Sequence, residues 1–356
     1  MDVFRVARAA LAVLVSAGTL TAVPLRAQVP TVAERVEVAR VVLDVHVLDD
    51  AGRPITGLTP EDLRLRVDGK PVRIEALRWT TTAVIDREAG APGAPGTPAA
   101  ALGERALPSG RMIVLLVQRD LEPSRLEGLF GMLRRAQAFV DGLRPDDWLA
   151  VLAFEHRLDL RMDFTRDRAA ARDMLARQLP LALPMAPRPT AEGPTLAAGF
   201  DAAAGRRAAS MEQALLVTAR ALDRVPGAKS LVILGHGFGR ILIGGLGSAV
   251  VGVEDEYREA ARVLARARVT AYALDVTQAD SHTLSAGLER VAADTGGFYL
   301  QTHAFPGLAL ARLGDALAGR YELSFEKPAL PDGEHAIRIE LVGRKGRVLA
   351  RRTYGG

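Results

Sequence analysis

From Met112 onward, apolar runs of strand length alternate with segments whose apolar residues recur at helical spacing. Ile113–Val117 is a continuous apolar run, which is typical of a strand buried on both faces. We predict strands at 113–117, 148–154, 158–162, 230–234, 269–274 and 297–300, and helices at 124–143, 167–178, 211–224, 256–268, 284–295 and 306–319. Strands separated by helices indicate an α/β fold, in which a doubly wound, mostly parallel sheet is covered on both faces.

The segments on either side of this region have the two-residue alternation of half-buried strands. Leu43, Val45 and Val47 alternate with polar residues, and Asp68-Gly69 separates two short strand-like runs, as in a hairpin. Residues 321–325, 336–342 and 347–354 are strand-like again. Because so few strands bury little surface alone, we predict that the N- and C-terminal β segments pack together as a β-sandwich. The α/β region would then be an insertion in that sandwich.

Two further segments complete the predicted organisation. Arg5 and Arg8 precede an apolar stretch of about 15 residues, which suits a signal peptide ending near Ala27 and is too short to span a membrane. Residues 83–110 are rich in Ala, Pro and Gly and indicate a linker. The predicted divisions are a signal peptide (1–27), an N-terminal β domain (28–82), the linker (83–110), the α/β domain (111–320) and a C-terminal β segment (321–356). We expect an exported protein, periplasmic or extracellular, with no transmembrane segment in the mature chain.

Composition excludes several classes of function. The chain has no cysteine, which excludes disulfides, thiolate metal sites and a cysteine nucleophile. The formal net charge is only +4, and aromatic residues make up 5% of the chain, so neither a concentrated basic face nor stacking platforms for nucleic acid are indicated. We therefore expect no nucleic acid partner.

Several short segments, taken in order, resemble one family. They are residues 47–58 (VLDDAGRPITGL), 66–71 (RVDGKP), 229–234 (KSLVIL), 292–297 (AADTGG) and 321–325 (YELSF). Their order resembles that of the VWFA-related secreted proteins abundant in Acidobacteria. The resemblance implies a von Willebrand factor type A domain over residues 111–320. Such domains bind protein partners at the edge of the sheet where the parallel strands end.

The resemblance also implies a candidate ion site. The family motif has Asp-x-Ser-x-Ser after the first strand, a threonine in a later loop and an acidic residue after a central strand. Segment 120–124 (DLEPS) keeps Asp120 and Ser124, has Glu122 in place of the first serine, and is followed by Thr195 and by His236 at the acidic position. Asp120, Glu122, Ser124 and Thr195 are thus candidate ligands of a divalent cation such as Mg²⁺, which prefers oxygen donors.

Three states of this site remain open. A hard cation binds and a carboxylate of the partner completes its coordination; or Arg119 pairs with Asp120 or Glu122 and takes the place of the cation; or His236 holds a transition metal. In the second state the partner docks on loops 119–124, 191–196 and 235–248. Arg119, His236 and Phe238 are the expected contact residues. The apolar residues of loop 235–248 either face a partner or pack beneath the loop.

We therefore predict an exported, non-enzymatic protein-binding or adhesion-type module with a degenerate metal-ion-dependent adhesion site. The alternatives are a structural component of the cell envelope and a serine hydrolase-like enzyme. The nucleophile motif Gly-x-Ser-x-Gly is absent, and the glycines at 235–239 fit neither dinucleotide nor P-loop patterns. No cofactor other than the cation is indicated. Apart from His236, the histidines are predicted to be surface or hairpin residues: His46, His156, His282, His303 and His335.

Overall fold

The computed structural model describes residues 39–81, 110–120, 122–181, 193–243, 249–252, 255–279 and 282–355. The predicted signal peptide lies outside the described residues, as does the predicted linker except for Gly110. The predicted outer limits of the domains therefore stay predictions.

The described elements follow in chain order. The N-terminal strands are β1 (Arg40–Leu48), β2 (Leu63–Val67), β3 (Lys70–Val72) and β4 (Ala76–Thr80). The next strands are β5 (Met112–Gln118), β6 (Trp148–Phe154), β7 (Leu158–Thr165), β8 (Lys229–Gly235), β9 (Arg240–Ile243), β10 (Ala249–Gly252), β11 (Val269–Asp275) and β12 (Tyr299–Gln301). The helices are α1 (Pro123–Asp141), α2 (Arg168–Asp173), α3 (Ala202–Arg207), α4 (Met211–Asp223), α5 (Asp255–Arg266), α6 (Ser285–Thr295) and α7 (Pro306–Leu317). The C-terminal strands are β13 (Arg320–Glu326), β14 (Glu334–Leu341), β15 (Arg347–Ala350) and β16 (Thr353–Gly355).

The central sheet has six strands in the order β12-β11-β8-β5-β6-β7. All neighbours are parallel except β6 and β7, so β7 is an antiparallel edge strand. This is the strand order of a doubly wound sheet, in which chain direction across the sheet reverses between the first and fourth strands, here β5 and β8. The predicted fold class, α/β with a doubly wound and mostly parallel sheet, is confirmed.

The central sheet is covered on both faces, as continuous apolar strands require. All seven residues of β5 are buried, and alternate residues face opposite cores. Val114 and Leu116 pack with residues of α4, α5 and α6 on one face. Ile113 and Leu115 pack with residues of α1, α2 and α7 on the other.

The N- and C-terminal β segments form two antiparallel four-stranded sheets, ordered β15-β1-β13-β4 and β16-β14-β2-β3. Leu43 and Phe325 of the first sheet share one core with Leu65 and Ile337 of the second. The predicted β-sandwich flanking the α/β part is confirmed. The chain leaves the sandwich after β4 and returns at β13, and these strands are paired directly, Thr80 opposite Arg320.

A buried ionic cluster joins the sandwich to the central sheet. Asp44 of β1 accepts hydrogen bonds from Arg268 at 2.8 Å and from Arg320 at 2.6 Å, and Arg268 also donates to Glu322 at 2.8 Å. Burial raises the pKa of Asp44, but the two guanidinium groups outweigh burial and hold the pKa well below its usual value. His46, two residues along β1, lies at 3.1 Å from the hydroxyl of Tyr272 on β11.

Three local expectations differ from the structure. Strand β4 was not predicted, because segment 76–80 (ALRWT) has no clean alternation; it is held by β13. Residues 240–243 and 249–252 form a two-stranded sheet within the region predicted as a loop. His46 and His335 are buried; His335 Nδ1 bonds Asp68 at 2.8 Å, so these two histidines support the sandwich and do not face solvent.

Candidate binding crest

The carboxyl ends of β5, β8, β11 and β12 meet at one edge of the central sheet. We call this edge the crest and define it as residues 118–120, 122–125, 235–238, 275–279, 282–285 and 299–308. The strand order reverses between β5 and β8, and this edge at the reversal is the usual ligand position in open α/β sheets. Asp120 follows β5 and His236 follows β8, so both predicted residues lie at the reversal.

Gln118 joins the two loops at the reversal. Its side chain is buried, donates to the carbonyl of Gly237 at 2.8 Å, and accepts from the backbone N–H groups of His236 at 3.1 Å and Gly237 at 3.2 Å. Gly237 has φ +103°, and a Cβ there would lie 2.1 Å from the carbonyl oxygen of Leu284. The backbone of the loop carrying His236 is therefore held by Gln118 on one side and by the close approach of Leu284 on the other.

Arg125, in the first turn of α1, is the cation that pairs with Asp120. Its guanidinium donates to Asp120 Oδ2 and lies 4.0 Å from Glu122 Oε2. Glu122 also caps α1 by accepting from the backbone N–H of Arg125 at 3.1 Å. Burial raises the pKa of Asp120, but the bonds from Arg125 and from the backbone of Glu122 outweigh burial and lower it. Asp120 is thus an ionised, internally paired carboxylate.

His236 is a neutral imidazole beside this ion pair. Its side chain is buried, and its Nε2 lies 3.5 Å from Asp120 Oδ2. Burial, aided by the charge of Arg125, lowers the pKa of His236 to about 4, although Asp120 opposes this shift. Within the described part of the chain, Nδ1 of His236 has no hydrogen-bond partner.

A second carboxylate, which the sequence analysis did not single out, lies at the end of β11. Asp275 is buried; its Oδ2 accepts from the hydroxyl of Tyr299 at 2.8 Å and lies 2.6 Å from Nε2 of His282. Its Oδ1 accepts from the backbone N–H of Thr277 at 2.9 Å. Burial and the bond to Asp275 raise the pKa of Tyr299, so the phenol stays protonated and donates. His282 is therefore part of the crest and not the surface residue predicted.

One candidate ligand, Thr195, lies apart from Asp120. The hydroxyl of Thr195 donates to Asp163 Oδ2 on β7 at 2.6 Å. On β7, Asp163 follows Met162, which is paired with Val151 of β6. Val151 lies three residues before Phe154, the last residue of β6 at the crest end. Asp163 is therefore about 10 Å or more from the crest along the sheet. The backbone of Ser124 belongs to α1, and its side chain lies outside the described part. The structure therefore brings together Asp120, Glu122 and His236, and places Thr195 elsewhere.

The other predicted contact residues also need correction. Arg119 does not pair with Asp120 or Glu122; its Nη1 lies 3.5 Å from Glu155, and its side chain is 13% exposed. The reason is that Arg119 N–H bonds the carbonyl of Phe154, which holds the residue against β6. Phe238 is buried, with its ring centroid 5.7 Å from that of Tyr257, so it packs beneath the loop.

The exposed apolar side chains of the crest lie instead at the start of α7. Phe305 is 70% exposed and Leu308 is 51% exposed. They are three positions apart, and α7 begins directly after β12, so both lie on one side of the helix end at the crest. The sequence offered no signal for these two residues, since a solvent-facing apolar residue and a buried one look alike in a helical pattern.

The residues present do not fit the magnesium site that the resemblance implies. Mg²⁺ needs several free oxygen ligands in octahedral geometry, whereas Arg125 takes the carboxylate of Asp120 and Asp163 takes the hydroxyl of Thr195. A neutral imidazole occupies the acidic position. In the ranges that the structure describes, no three His, Asp or Glu side chains are arranged to hold a metal ion.

Nor does the crest contain a hydrolase triad in its described residues. Asp275 and His282 form an acid–imidazole pair, but the Ser285 hydroxyl donates to the backbone carbonyl of His282 at 2.9 Å, not to its ring. Among the described residues, no hydrogen bond joins a serine hydroxyl to the ring of His236 or His282. A triad requires such a contact between nucleophile and base.

Comparison with known proteins gives similarity in structure only. No family model matches the sequence, and no curated protein matches it. Similar solved structures include an aerotolerance-related membrane protein from Bacteroides fragilis, with 15% identity over 58% of this chain and 98% of that chain, at a TM-score of 0.38. Manganese-loaded TRAP protein from Plasmodium vivax has 14% identity over 68% and 93%, at 0.39. Proximal thread matrix protein 1 from mussel byssus, with a zinc-occupied MIDAS motif, has 13% identity over 61% and 48%, at 0.37.

These similarities concern the fold alone. Among the described residues, no helix is both long enough and apolar enough to cross a membrane. The strand order and the antiparallel edge strand agree with the α/β fold that the sequence resemblance implies.

Proposed function

We propose that this chain is a non-enzymatic protein-binding module that docks a protein partner on the crest without a bound cation. One observation carries the proposal: the guanidinium of Arg125 lies against Asp120 and near Glu122, where a divalent cation would need those carboxylates. An arginine supplies a fixed positive charge and several donors, so the charge of a cation is replaced from within the chain. The Arg125 side chain is 27% exposed, so part of it is open to a partner.

The chemistry of the crest suits a protein ligand. Phe305 and Leu308 provide apolar area that becomes favourable only when a partner covers it, while Arg125 lies among the polar groups of the same edge. Aromatic residues and arginines are among the residue types enriched in interaction hot spots. The buried side chains of His236 and Asp275 contact Asp120 and His282, and so support the crest loops from the inside of the protein.

We further propose that binding takes place after export, directed by residues 1–27. The predicted signal segment supports this placement. A structural role in the cell envelope is compatible with the same crest, because an envelope component also needs a surface for its neighbours.

The test is capture of envelope proteins by the immobilised full chain, with Mg²⁺ or with EDTA. We expect the same bands in both conditions, and their loss with the Phe305→Ala/Leu308→Ala variant. Val342→Ala is the matched control, since Val342 is 37% exposed in the sandwich, away from the crest. Capture that disappears with EDTA, or that survives the crest variant, would contradict the proposal.

A further inference from the structure

A second surface, which contains no residue of the crest, is lined by seven arginines. A groove of about 1120 Å³ lies between helices α5 and α6 and the sandwich strands β1 and β16. The helices contribute Arg258, Arg262, Arg266 and Arg290. The sandwich side contributes Arg40, Arg351 and Arg352. We call this surface the arginine groove.

The arginines of α5 form a stripe that ion pairs neutralise only in part. Arg258, Arg262 and Arg266 are spaced four residues apart, so they lie on one face, where like charges destabilise a helix. Arg258 pairs with Asp255 at 2.7 Å and Arg266 with Asp223 at 2.7 Å. For Arg262, between them, the described residues supply no carboxylate within ion-pair distance.

The sandwich side adds a guanidinium that is withdrawn from water. Arg351 donates to the carbonyls of Ala265 and Val42, both at 3.1 Å, and its Nε has no partner among the described residues. Burial lowers the pKa of Arg351, which shows that its charge is poorly solvated. A charge in this state gains more from an arriving anion than a surface arginine does.

The acidic residues of the groove are already engaged. Asp294 accepts from Tyr257 at 2.7 Å and from Arg290 at 2.7 Å. Glu334 accepts from the hydroxyl of Thr353 at 2.6 Å. With seven arginines against the carboxylates of Asp294 and Glu334 among its described lining residues, the groove is a concave surface of net positive charge.

We propose that the arginine groove binds an acidic peptide segment of a protein partner. Guanidinium groups bind carboxylates through paired hydrogen bonds, and a concave surface of one charge strengthens the local field. Half-buried apolar side chains, Val41, Val42, Ala261 and Ala265, lie between the arginines. A peptide with small apolar residues between its carboxylates can use these, whereas a phosphate polymer cannot. The volume exceeds the roughly 1000 Å³ upper range of small-molecule pockets, which suits a length of chain.

The neighbouring surface extends the same charge. Arg352 and Thr353 also line a second depression of about 760 Å³ with Arg66 and Arg338. Arg66 and Arg338 are directly opposite each other on β2 and β14, and Arg338 pairs with Glu340 at 2.8 Å. A bound acidic segment would leave the groove along this path.

The test is fluorescence anisotropy with the full chain and a labelled dodecapeptide of alternating Glu and Val. We expect saturable binding at low salt. Arg262→Glu/Arg352→Glu should weaken it at least about tenfold, because two guanidinium groups that attract the peptide's carboxylates are replaced by carboxylates that repel them. The matched control is Arg134→Glu/Arg135→Glu on α1, which changes the net charge equally on an exposed helix face. We expect it to keep the wild-type affinity.

Three results would overturn the proposal: no peptide binding, equal weakening by both reversals, or displacement of the peptide by polyphosphate of equal charge at a lower concentration than by unlabelled peptide. Arg262→Gln/Arg352→Gln, checked by thermal unfolding, separates lost binding from a failure to fold. The crest variant Phe305→Ala/Leu308→Ala is expected to bind the peptide normally. This surface and the crest can therefore fail independently.

Discussion

At the scale of single residues, Arg125 is the group that most changes what the crest can bind. Its removal takes the guanidinium away from the carboxylates of Asp120 and Glu122. We expect Arg125→Ala to bind Mn²⁺ at least about tenfold more tightly than the wild type, because free carboxylates are the oxygen ligands such ions prefer. Titration of free Mn²⁺ by electron paramagnetic resonance measures this. Arg135→Ala, on the exposed side of α1, is the control, and equal Mn²⁺ affinity in both variants would refute the role given to Arg125.

Among the residues near the Thr195 loop, we expect substitution of Asp163 to lower the free energy of unfolding most. It is buried and accepts from the Thr195 hydroxyl and from the backbone N–H of Leu196, both at 2.6 Å. Asp163→Ala leaves these buried donors without an acceptor, and we expect a loss of about 3 kcal/mol in the free energy of unfolding. Urea denaturation measures it. Asp159→Ala, on the same strand but 35% exposed and paired with Arg157, should cost less than about 1 kcal/mol; equal losses would contradict the assignment.

At the scale of elements, the contact between β1 and β11 should make stability depend on pH. Burial, aided by Arg320, lowers the pKa of His46 to about 4 from 6.5, against the opposing charge of Asp44. The unfolded state therefore takes up a proton between pH 6.5 and pH 4 that the native state refuses. Stability falls as the pH falls through that window, by about 3 kcal/mol in total for this group.

The measurement is the free energy of unfolding at pH 7 and at pH 4. His46→Gln should lose less stability between the two than the wild type, whatever its stability at pH 7. His236, whose pKa is also lowered to about 4 by burial, still contributes in this variant, so part of the dependence remains. His156→Gln removes a histidine whose side chain is 85% exposed and should behave as the wild type does. An unchanged pH dependence in His46→Gln would show that His46 is not the group responsible.

Elements were predictable where burial was uniform. The spacing of apolar residues predicted β6 at its observed bounds and α4 to within one residue. Most residues of Trp148–Phe154 and of Met211–Asp223 are buried, so the apolar pattern follows the whole element. Residues 174–178 were predicted as the end of an α-helix but form a π-helical turn. The sequence could not predict which arginine pairs with Asp120. Whether Arg119 or Arg125 reaches this carboxylate depends on the loop path set by Gln118 and Gly237. Local spacing along the chain does not encode that path.

At the scale of the whole molecule, the sandwich joins residues that are far apart in sequence. Strand β1 pairs with β13, and β2 pairs with β14, so each sheet combines strands from both ends of the chain. The apolar alternation of these strands predicted that each has one buried face, and the shared core confirms it. The order of the strands within the two sheets could not be predicted, because alternation identifies a face but not a neighbour.

This arrangement predicts that the N-terminal strands cannot fold without the C-terminal ones. Ending the chain after Gly319 removes β13, which lies between β1 and β4, and β14, which pairs with β2. Leu43 and Leu65 then lose the Phe325 and Ile337 side chains of the shared core, and a few remaining strands bury too little surface to be stable. We expect limited proteolysis of the truncated chain to cut rapidly within residues 39–81, which stay protected in the full chain. Phe325→Ala in the full chain is the graded control, expected to lower the free energy of unfolding by about 4 kcal/mol while keeping the strands paired. Persistent protection of residues 39–81 after truncation would mean that the N-terminal β segment is a domain in its own right, and that the α/β part is not an insertion.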